Sequence, residues 1–177
     1  QMKNFFRVFL VGMILLGLSG LAGAEEWKQY DLTKVVELKV SVPTSFKDMG
    51  QDEKEGSEIV SAFVDEDNSL LIMTFKSTVP LETKWIFATV YGVDEFTQAQ
   101  EEEFIKTFSK IGETGKFITL KSGRRALLVD INRSEATGQM IVVLKKGYLL
   151  GLMVLKEGVM SGSELKLPDQ VFQKAVF

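Results

Sequence analysis

The sequence predicts an α+β fold: a mainly antiparallel β-sheet of six to eight strands with helices packed on its faces. Short apolar or alternating stretches, separated by turns that contain glycine, recur along most of the chain and are typical of antiparallel strands. One mid-chain segment and one short segment near the end repeat their apolar residues at helical spacing instead. Several strand segments are apolar on both faces, which indicates a sheet that is covered on both sides.

The N-terminal segment has the pattern of a secretory signal peptide. Two basic residues precede an apolar core over Val8–Leu18, and small residues lead to an A-x-A pattern that ends at Ala24. This arrangement predicts cleavage between Ala24 and Glu25. We therefore expect a signal peptide over residues 1–24, a single α+β domain over residues 25–177, and Sec-type export to a bacterial periplasm or the medium. The alternative is an uncleaved membrane anchor, since a membrane span requires about 20 apolar residues.

The first elements after the leader are predicted to be strands. Polar and apolar residues alternate over Val35–Val42, and Pro43 ends this strand because proline lacks the N–H that a strand ladder needs. The charged, glycine-containing residues 47–58 predict a loop. A hairpin and one further strand follow, recognised by their apolar, β-branched or aromatic content: residues 58–65 and 70–76, joined by a turn at Glu66–Ser69, and residues 83–92.

An amphipathic helix is predicted between Asp94 and Ile111. Its apolar positions recur every three to five residues, at Phe96, Ala99, Phe104, Phe108 and Ile111. Gln100 and the acidic run Glu101–Glu103 project mostly elsewhere, and the acids are expected to form a solvated face. Gly112 supplies the stop signal.

The remaining chain predicts a meander followed by a short helix. The strand segments are residues 116–121, 124–132, 139–146 and 148–156, with turns at 122–123, near 136–138 and at 147. Each turn contains glycine, which adopts positive φ without a steric penalty. A short helix is expected to open near Pro168. Because only two helices are available to cover a sheet that is apolar on both sides, part of one face could be left for a second copy of the chain, a partner protein or an apolar ligand. Loop side chains completing the cover are the alternative.

The order of these elements resembles the PsbP-like family and its bacterial exported relatives of the DcrB type. The resemblance covers residues 38–177 and is carried by "LKVSVPTSFK", by the hairpin "SEIVSAFVDEDNSLLIMTF", and by the mid-chain helix, meander and closing helix that follow. It implies an α-β-α sandwich and an accessory or binding role in an exported compartment, without catalysis. The metal-binding histidines of some plant members have no counterpart, since this sequence contains no histidine.

Composition excludes several kinds of chemistry. The chain has no His and no Cys, which excludes Ser-His-Asp triads, Cys-His pairs, disulfides, and zinc sites built on imidazole or thiolate. No cofactor and no metal are expected. The net charge of −3 becomes more negative once the two basic residues of the leader are removed, and an acidic domain is a poor ligand for nucleic acid. Membrane contact is expected only through the N-terminal segment, if it is not cleaved.

Three local motifs resemble sites but fail where the chemistry is strictest. Ser163 and Lys166 have the S-x-x-K spacing of a Ser-Lys dyad, but the other boxes of such enzymes are not in the required order. Residues 65–69 begin like a calcium loop, but its glycine and bidentate glutamate positions hold Leu70 and Lys76, so a hairpin turn is favoured. Residues 112–117 contain Gly-Lys but lack the full spacing of a phosphate loop.

We therefore expect an exported accessory or binding protein, not an enzyme, that acts in the assembly or maintenance of an envelope complex. A protein partner or self-association is the first expectation, and a carrier of a lipid or other apolar ligand is the alternative. A membrane-anchored subunit is the second alternative, and catalysis by carboxylates or by Ser163 with Lys166 comes last. Arg124 and Arg125, side by side at a strand start, are the candidate contacts for an anionic partner.

Overall fold

The computed structural model describes residues 26–51, 59–78, 96–110, 114–145 and 148–177. The predicted signal peptide and the strand predicted at residues 83–92 lie outside these ranges. No helix in the described ranges is long and apolar enough to cross a membrane.

The chain first forms a small antiparallel hairpin. Strand β1 (Trp27–Asp31) pairs with β2 (Lys39–Pro43), and a single helical turn, α1 (Thr33–Val36), connects them. The predicted strand Val35–Val42 was wrong at its start. The Asp31 carboxylate accepts a hydrogen bond from the Thr33 amide at 2.9 Å, which favours a helical turn at that point. Val36 is buried by this turn and not by a strand.

Within the described ranges, seven strands form the main sheet, in the order β3-β4-β5-β9-β8-β7-β6, and all neighbours are antiparallel. They are β3 (Lys47–Gln51), β4 (Ile59–Asp65), β5 (Leu70–Thr78), β6 (Thr114–Thr119), β7 (Arg125–Asn132), β8 (Ala136–Lys145) and β9 (Tyr148–Glu157). The predicted β4–β5 hairpin and meander are confirmed. The turn predicted near residues 136–138 lies a few residues earlier, where the Arg133 amide donates to the carbonyl of Ala136 at 3.0 Å.

Strand β3 corrects the loop predicted over residues 47–58, as far as Gln51. Every residue of β3 is exposed, and among the described strands it lies at the sheet edge and pairs with β4 alone. Its register shifts between Asp48 and Gln51, and Gly50 takes a φ of +94° at this irregularity. An edge strand that is charged and interrupted has no apolar alternation, so its composition resembles that of a loop.

The mid-chain helix α2 (Gln98–Lys110) lies within the predicted span. Two assignments on it were wrong, since Ala99 is exposed and Gln100 is 6% exposed. The Gln100 side-chain oxygen accepts a hydrogen bond from the Thr97 backbone amide at 2.7 Å, and the Gln100 backbone amide donates to the Thr97 hydroxyl at 3.4 Å. This reciprocal pair is a capping box, and it turns Gln100 back toward the start of the helix.

The layers place helices on both faces of the sheet. The closing helix α3 (Leu167–Lys174), the β1–β2 hairpin and α1 pack on one face around Phe63, Ile72 and Leu152. On the other face α2 contributes Phe104 to a second core with alternate residues of the same strands, such as Leu127. The predicted α+β fold, an antiparallel sheet between helices, is confirmed. The small hairpin supplies cover that the sequence did not reveal.

Candidate functional site

A cleft of about 400 Å³ opens at the end of the sheet that carries the β4–β5 turn. One wall is this turn, and the opposite wall is the loop that follows β9, which includes a 3₁₀ helix at Gly162–Lys166. Hydroxyl, amide and carboxylate groups line most of it, including those of Ser45, Gln170 and Ser163. Buried Phe46, Leu70 and Leu167 supply the apolar part of the lining. We name this region the polar cleft.

The turn wall presents a buried carboxylate. Asp65 ends β4 and is 6% exposed. Its carboxylate accepts hydrogen bonds from the amide of Asn68 at 3.2 Å and from the Asn68 side-chain Nδ2 at 2.8 Å. Ser69 closes the turn with a φ of +53°, and its carbonyl accepts the Glu157 amide at 3.1 Å. Local hydrogen bonds therefore hold the Asp65 carboxylate in place beside the cleft.

Lys156 joins the two walls. Its ammonium donates to the carbonyl of Asn68 at 3.0 Å and forms an ion pair with the carboxylate of Glu164. Glu164 also accepts the Ser161 amide at 2.9 Å, as part of a capping box that begins the 3₁₀ helix. Burial alone would raise the pKa of Glu164, but the hydrogen bonds from Lys156 and Ser161 outweigh it and hold this pKa below its ordinary value.

The structure brings two of the motifs to this place. Residues 65–69 form a hairpin turn, as the sequence favoured, and Ser163 lines the cleft opposite. Lys166 is exposed at the start of α3, and in this part of the described chain no hydrogen bond joins it to Ser163. Across the described ranges, no group of three or more Asp and Glu residues is arranged to hold a metal ion. The alternative of a carrier for an apolar ligand stays a prediction.

Arg124 and Arg125 lie at the opposite end of the sheet, where β7 starts. The Arg125 guanidinium binds Glu101 of α2 in a bidentate pair, with Nε–Oε1 at 2.9 Å and Nη2–Oε2 at 2.8 Å. The hydrogen bond to Glu101 raises the pKa of Arg125. Arg124 donates from Nη1 to the carbonyl of Leu144 at 3.2 Å. Both arginines thus have roles inside the fold, and their contact with an anionic partner stays a prediction.

The sequence reasoning missed Lys156 and Glu164, and it placed Glu101 on a solvated face. The S-x-x-E spacing of Ser161 and Glu164 is a capping-box signal that could have located the 3₁₀ helix. Lys156 gives no such signal, because its partners come from a turn and a loop far apart in the chain. The pairing of Glu101 with Arg125 is equally non-local.

Comparison with known proteins places the fold in a class. No protein-family model matches this chain, and no curated protein matches it. Among solved structures, it is similar to the PsbP-like class of α+β sandwich. The solution structure of the cyanobacterial PsbP (CyanoP) from Synechocystis sp. PCC 6803 matches with a TM-score of 0.51 and 15% identity. The match covers 91% of this chain and 98% of that one, and at this identity it shows the fold alone. The DcrB type of the predicted resemblance stays a prediction.

Proposed function

We propose that this chain is a non-catalytic accessory protein that docks onto a protein partner through the end of the sheet that carries the polar cleft. The observation that carries the proposal is a pair of apolar side chains on the loop after β9. Val159 and Leu165 are 74% and 63% exposed, the highest values among the large apolar residues that the structure describes. Both residues lie on the loop whose later residues line one wall of the cleft, so a partner that docks at this end of the sheet would bury them.

The loop that carries these residues is anchored at several points. The Thr137 hydroxyl donates to the Gly158 carbonyl at 2.8 Å and accepts the Met160 amide at 2.9 Å. Met160 is buried, and the pair between Lys156 and Glu164 holds the 3₁₀ helix against β9. Because the loop is already ordered, docking would cost little conformational entropy. A prearranged loop with exposed apolar residues therefore supports a binding role.

The absence of catalysis is part of the same proposal. Within the described ranges, the charged groups next to the cleft have structural partners. Lys156 forms an ion pair with Glu164 and donates to the Asn68 carbonyl, and the Asn68 side chain donates to the Asp65 carboxylate. Ser163 lacks a hydrogen bond from Lys166, which a Ser-Lys dyad would need in order to activate the hydroxyl. The accessory role is also what the PsbP-like resemblance implies. A preparation that hydrolysed ester or lactam reporters, and lost this activity with Ser163→Ala, would contradict the proposal.

We further propose that the protein acts after export, in the assembly or maintenance of an envelope complex. The pattern of residues 1–24 supports this, with cleavage expected between Ala24 and Glu25. Intact-mass measurement of protein from its native host tests the point. A chain beginning at Glu25 agrees with export and cleavage, whereas a mass that retains residues 1–24 would indicate the anchored alternative.

Site-specific photocrosslinking in the native host tests the docking surface. A photoreactive amino acid at Leu165 is expected to give one discrete adduct, whose partner is then identified by mass spectrometry. The matched control carries the same group at Lys116, which is exposed on β6 near the other edge of the sheet. No adduct at position 165, or the same adducts at both positions, would contradict docking at this end.

A further inference from the structure

We propose that the polar cleft receives an arginine side chain of the partner protein, with the guanidinium on the Asp65 carboxylate and the aliphatic stem against the apolar lining. This inference rests on the proposed function, since it names the chemistry by which the docking surface recognises its partner. Two observations carry it. The Asp65 carboxylate has no cationic partner among the described residues, and both polar and apolar groups line the cleft.

Asp65 is a buried carboxylate that has no cationic partner among the described residues. Its hydrogen bonds come from Asn68 alone, through two neutral N–H donors. Two cations close to Asp65 are engaged elsewhere: Lys156 pairs with Glu164, and Lys47 pairs with Glu66 at 3.2 Å. Lys166, on the loop wall, is exposed, and in the described ranges it forms no ion pair with Asp65. Burial of a carboxylate has a cost that hydrogen bonds from neutral donors offset in part, and a charge of opposite sign offsets it further. A cation that enters the cleft would supply this compensation.

The lining favours arginine over a compact cation. Phe46, Leu70 and Leu167 are each 5% exposed and form an apolar surface beside the carboxylate. Such a surface suits the three methylenes of arginine, which pack on apolar groups while the charged head binds elsewhere. A guanidinium also presents a planar fork that matches a carboxylate in a bidentate pair. The volume of about 400 Å³ lies within the range of about 300–1,000 Å³ typical of ligand sites.

Polar groups on the two walls supply further acceptors. Glu164 lies on the loop wall, and the hydroxyls of Ser45 and Ser163 also line the cleft. A guanidinium has five N–H donors, so a carboxylate alone does not satisfy it. The exposed residues Val159 and Leu165 lie on the loop that forms this wall. Apolar residues that flank the bound arginine in the partner chain would contact these two side chains. This arrangement favours an arginine within a polypeptide over a free amine.

The test is an NMR titration of the isotope-labelled protein with three small probes. Acetyl-arginine amide is expected to bind on the order of millimolar and to shift the amides of Asn68 and Ser163 in a saturable way. Acetyl-citrulline amide, which has the same shape without the charge, is expected to bind about tenfold more weakly or not at all, since a charge-assisted pair is lost. Agmatine has a guanidinium at one end of a methylene chain and a free amine at the other. Its binding tests whether the cleft takes a small amine or an arginine within a polypeptide.

Variants separate the site from the fold. Asp65→Asn is expected to abolish binding of acetyl-arginine amide, and Ser163→Phe is expected to do the same by filling the cleft without removing a carboxylate. The matched control Asp67→Asn, on the same exposed turn, is expected to retain affinity within about twofold. Equal binding of the arginine and citrulline probes, or unchanged binding in both cleft variants, would overturn the proposal and leave Asp65 as a turn-capping residue only.

The remaining outcomes distinguish the source of the guanidinium. A Leu-Arg-Leu peptide that binds about tenfold more tightly than agmatine would support a partner arginine, because leucine adds apolar contacts. Agmatine binding as tightly as the peptide would show that the occupant is a free amine and would overturn the partner-arginine assignment. Failure of the arginine probe leaves the crosslinking test at Leu165 unaffected, so the two proposals fail separately.

Discussion

The contact between Gly151 and Phe75 gives the sharpest prediction about the stability of the sheet. Gly151 of β9 lies directly across from Phe75 of β5, and the phenyl ring covers the glycine. A Cβ placed on Gly151 would lie 1.7 Å from Cζ of the ring and 2.0 Å from Cε1, closer than real Cβ contacts approach. Gly151→Ala must therefore displace the ring. The ring packs on the second core with Leu149 and other residues, so its displacement disturbs that core.

The expected cost of Gly151→Ala is about 2 kcal/mol, since overpacking of a filled site costs about 1–3 kcal/mol. In a domain of this size a loss of about 2 kcal/mol lowers Tm by roughly 4–8 °C. Urea unfolding measures the free energy directly, and the m-value should not change. The matched control is Gly115→Ala, whose Cβ would meet the flexible end of Leu127 at 3.2 Å, so a change within about 0.5 kcal/mol is expected.

A double-mutant cycle identifies the ring as the cause. In a Phe75→Ala background the ring no longer blocks the position of the new Cβ, so Gly151→Ala should cost at least about 1 kcal/mol less than in the original chain. An equal cost in both backgrounds, or a single variant within about 0.5 kcal/mol of the original, would refute the reasoning.

Three further predictions concern charges and a helix cap. Arg125→Lys removes the bidentate pair with Glu101. Because both side chains are partly exposed, we expect the free energy of unfolding to fall by only about 0.5–1 kcal/mol in chemical denaturation. An unchanged denaturation midpoint at low salt would contradict this. The side-chain and backbone hydrogen bonds of Thr33 lower the pKa of Asp31 from 3.8 to about 2. The stabilising contribution of Asp31 is therefore complete above about pH 4 and is lost as the pH falls toward 2. An NMR titration midpoint near 3.8 for Asp31 would be inconsistent with these hydrogen bonds. Thr97→Ala removes the capping hydroxyl of α2 and should cost about 1 kcal/mol by thermal unfolding, with Thr97→Ser close to the original chain; equal losses in the two variants would exclude the cap as the cause.

The predictable part of the fold is the part whose burial follows the chain periodically. The β4–β5 hairpin, the meander and α2 each repeat apolar residues with the period of their own element, so spacing alone locates them. The missed elements lack this repeat. Strand β3 is exposed along its whole length, and α1 is a single turn, too short to repeat an apolar pattern. Gln100 was misplaced because a capping hydrogen bond, and not hydrophobicity, buries its side chain.

Charged residues were harder to assign because their partners are remote in sequence. Glu101 reads as one acid in a run of three, and only the sheet brings Arg125 to it. Lys156 of β9 likewise contacts two separate segments: it pairs with Glu164 in the loop after β9 and donates to the Asn68 carbonyl in the β4–β5 turn. Sequence spacing predicts contacts within a helix or a hairpin. It does not predict which side chains from different elements meet at one end of a sheet.

The polar cleft depends on both local and remote contacts. The sequence therefore predicted the turn at residues 65–69 but not the burial of Asp65. A turn accounts for the hydrogen bonds between Asp65 and Asn68, because Asp and Asn favour such positions. A turn on a protein surface does not account for the burial of the carboxylate. That burial arises because the loop after β9, ordered by the pair of Lys156 with Glu164, forms the opposite wall. Because that lysine pairs with Glu164, the hydrogen bonds to the Asp65 carboxylate come from the neutral groups of Asn68, and the proposed arginine site rests on this difference.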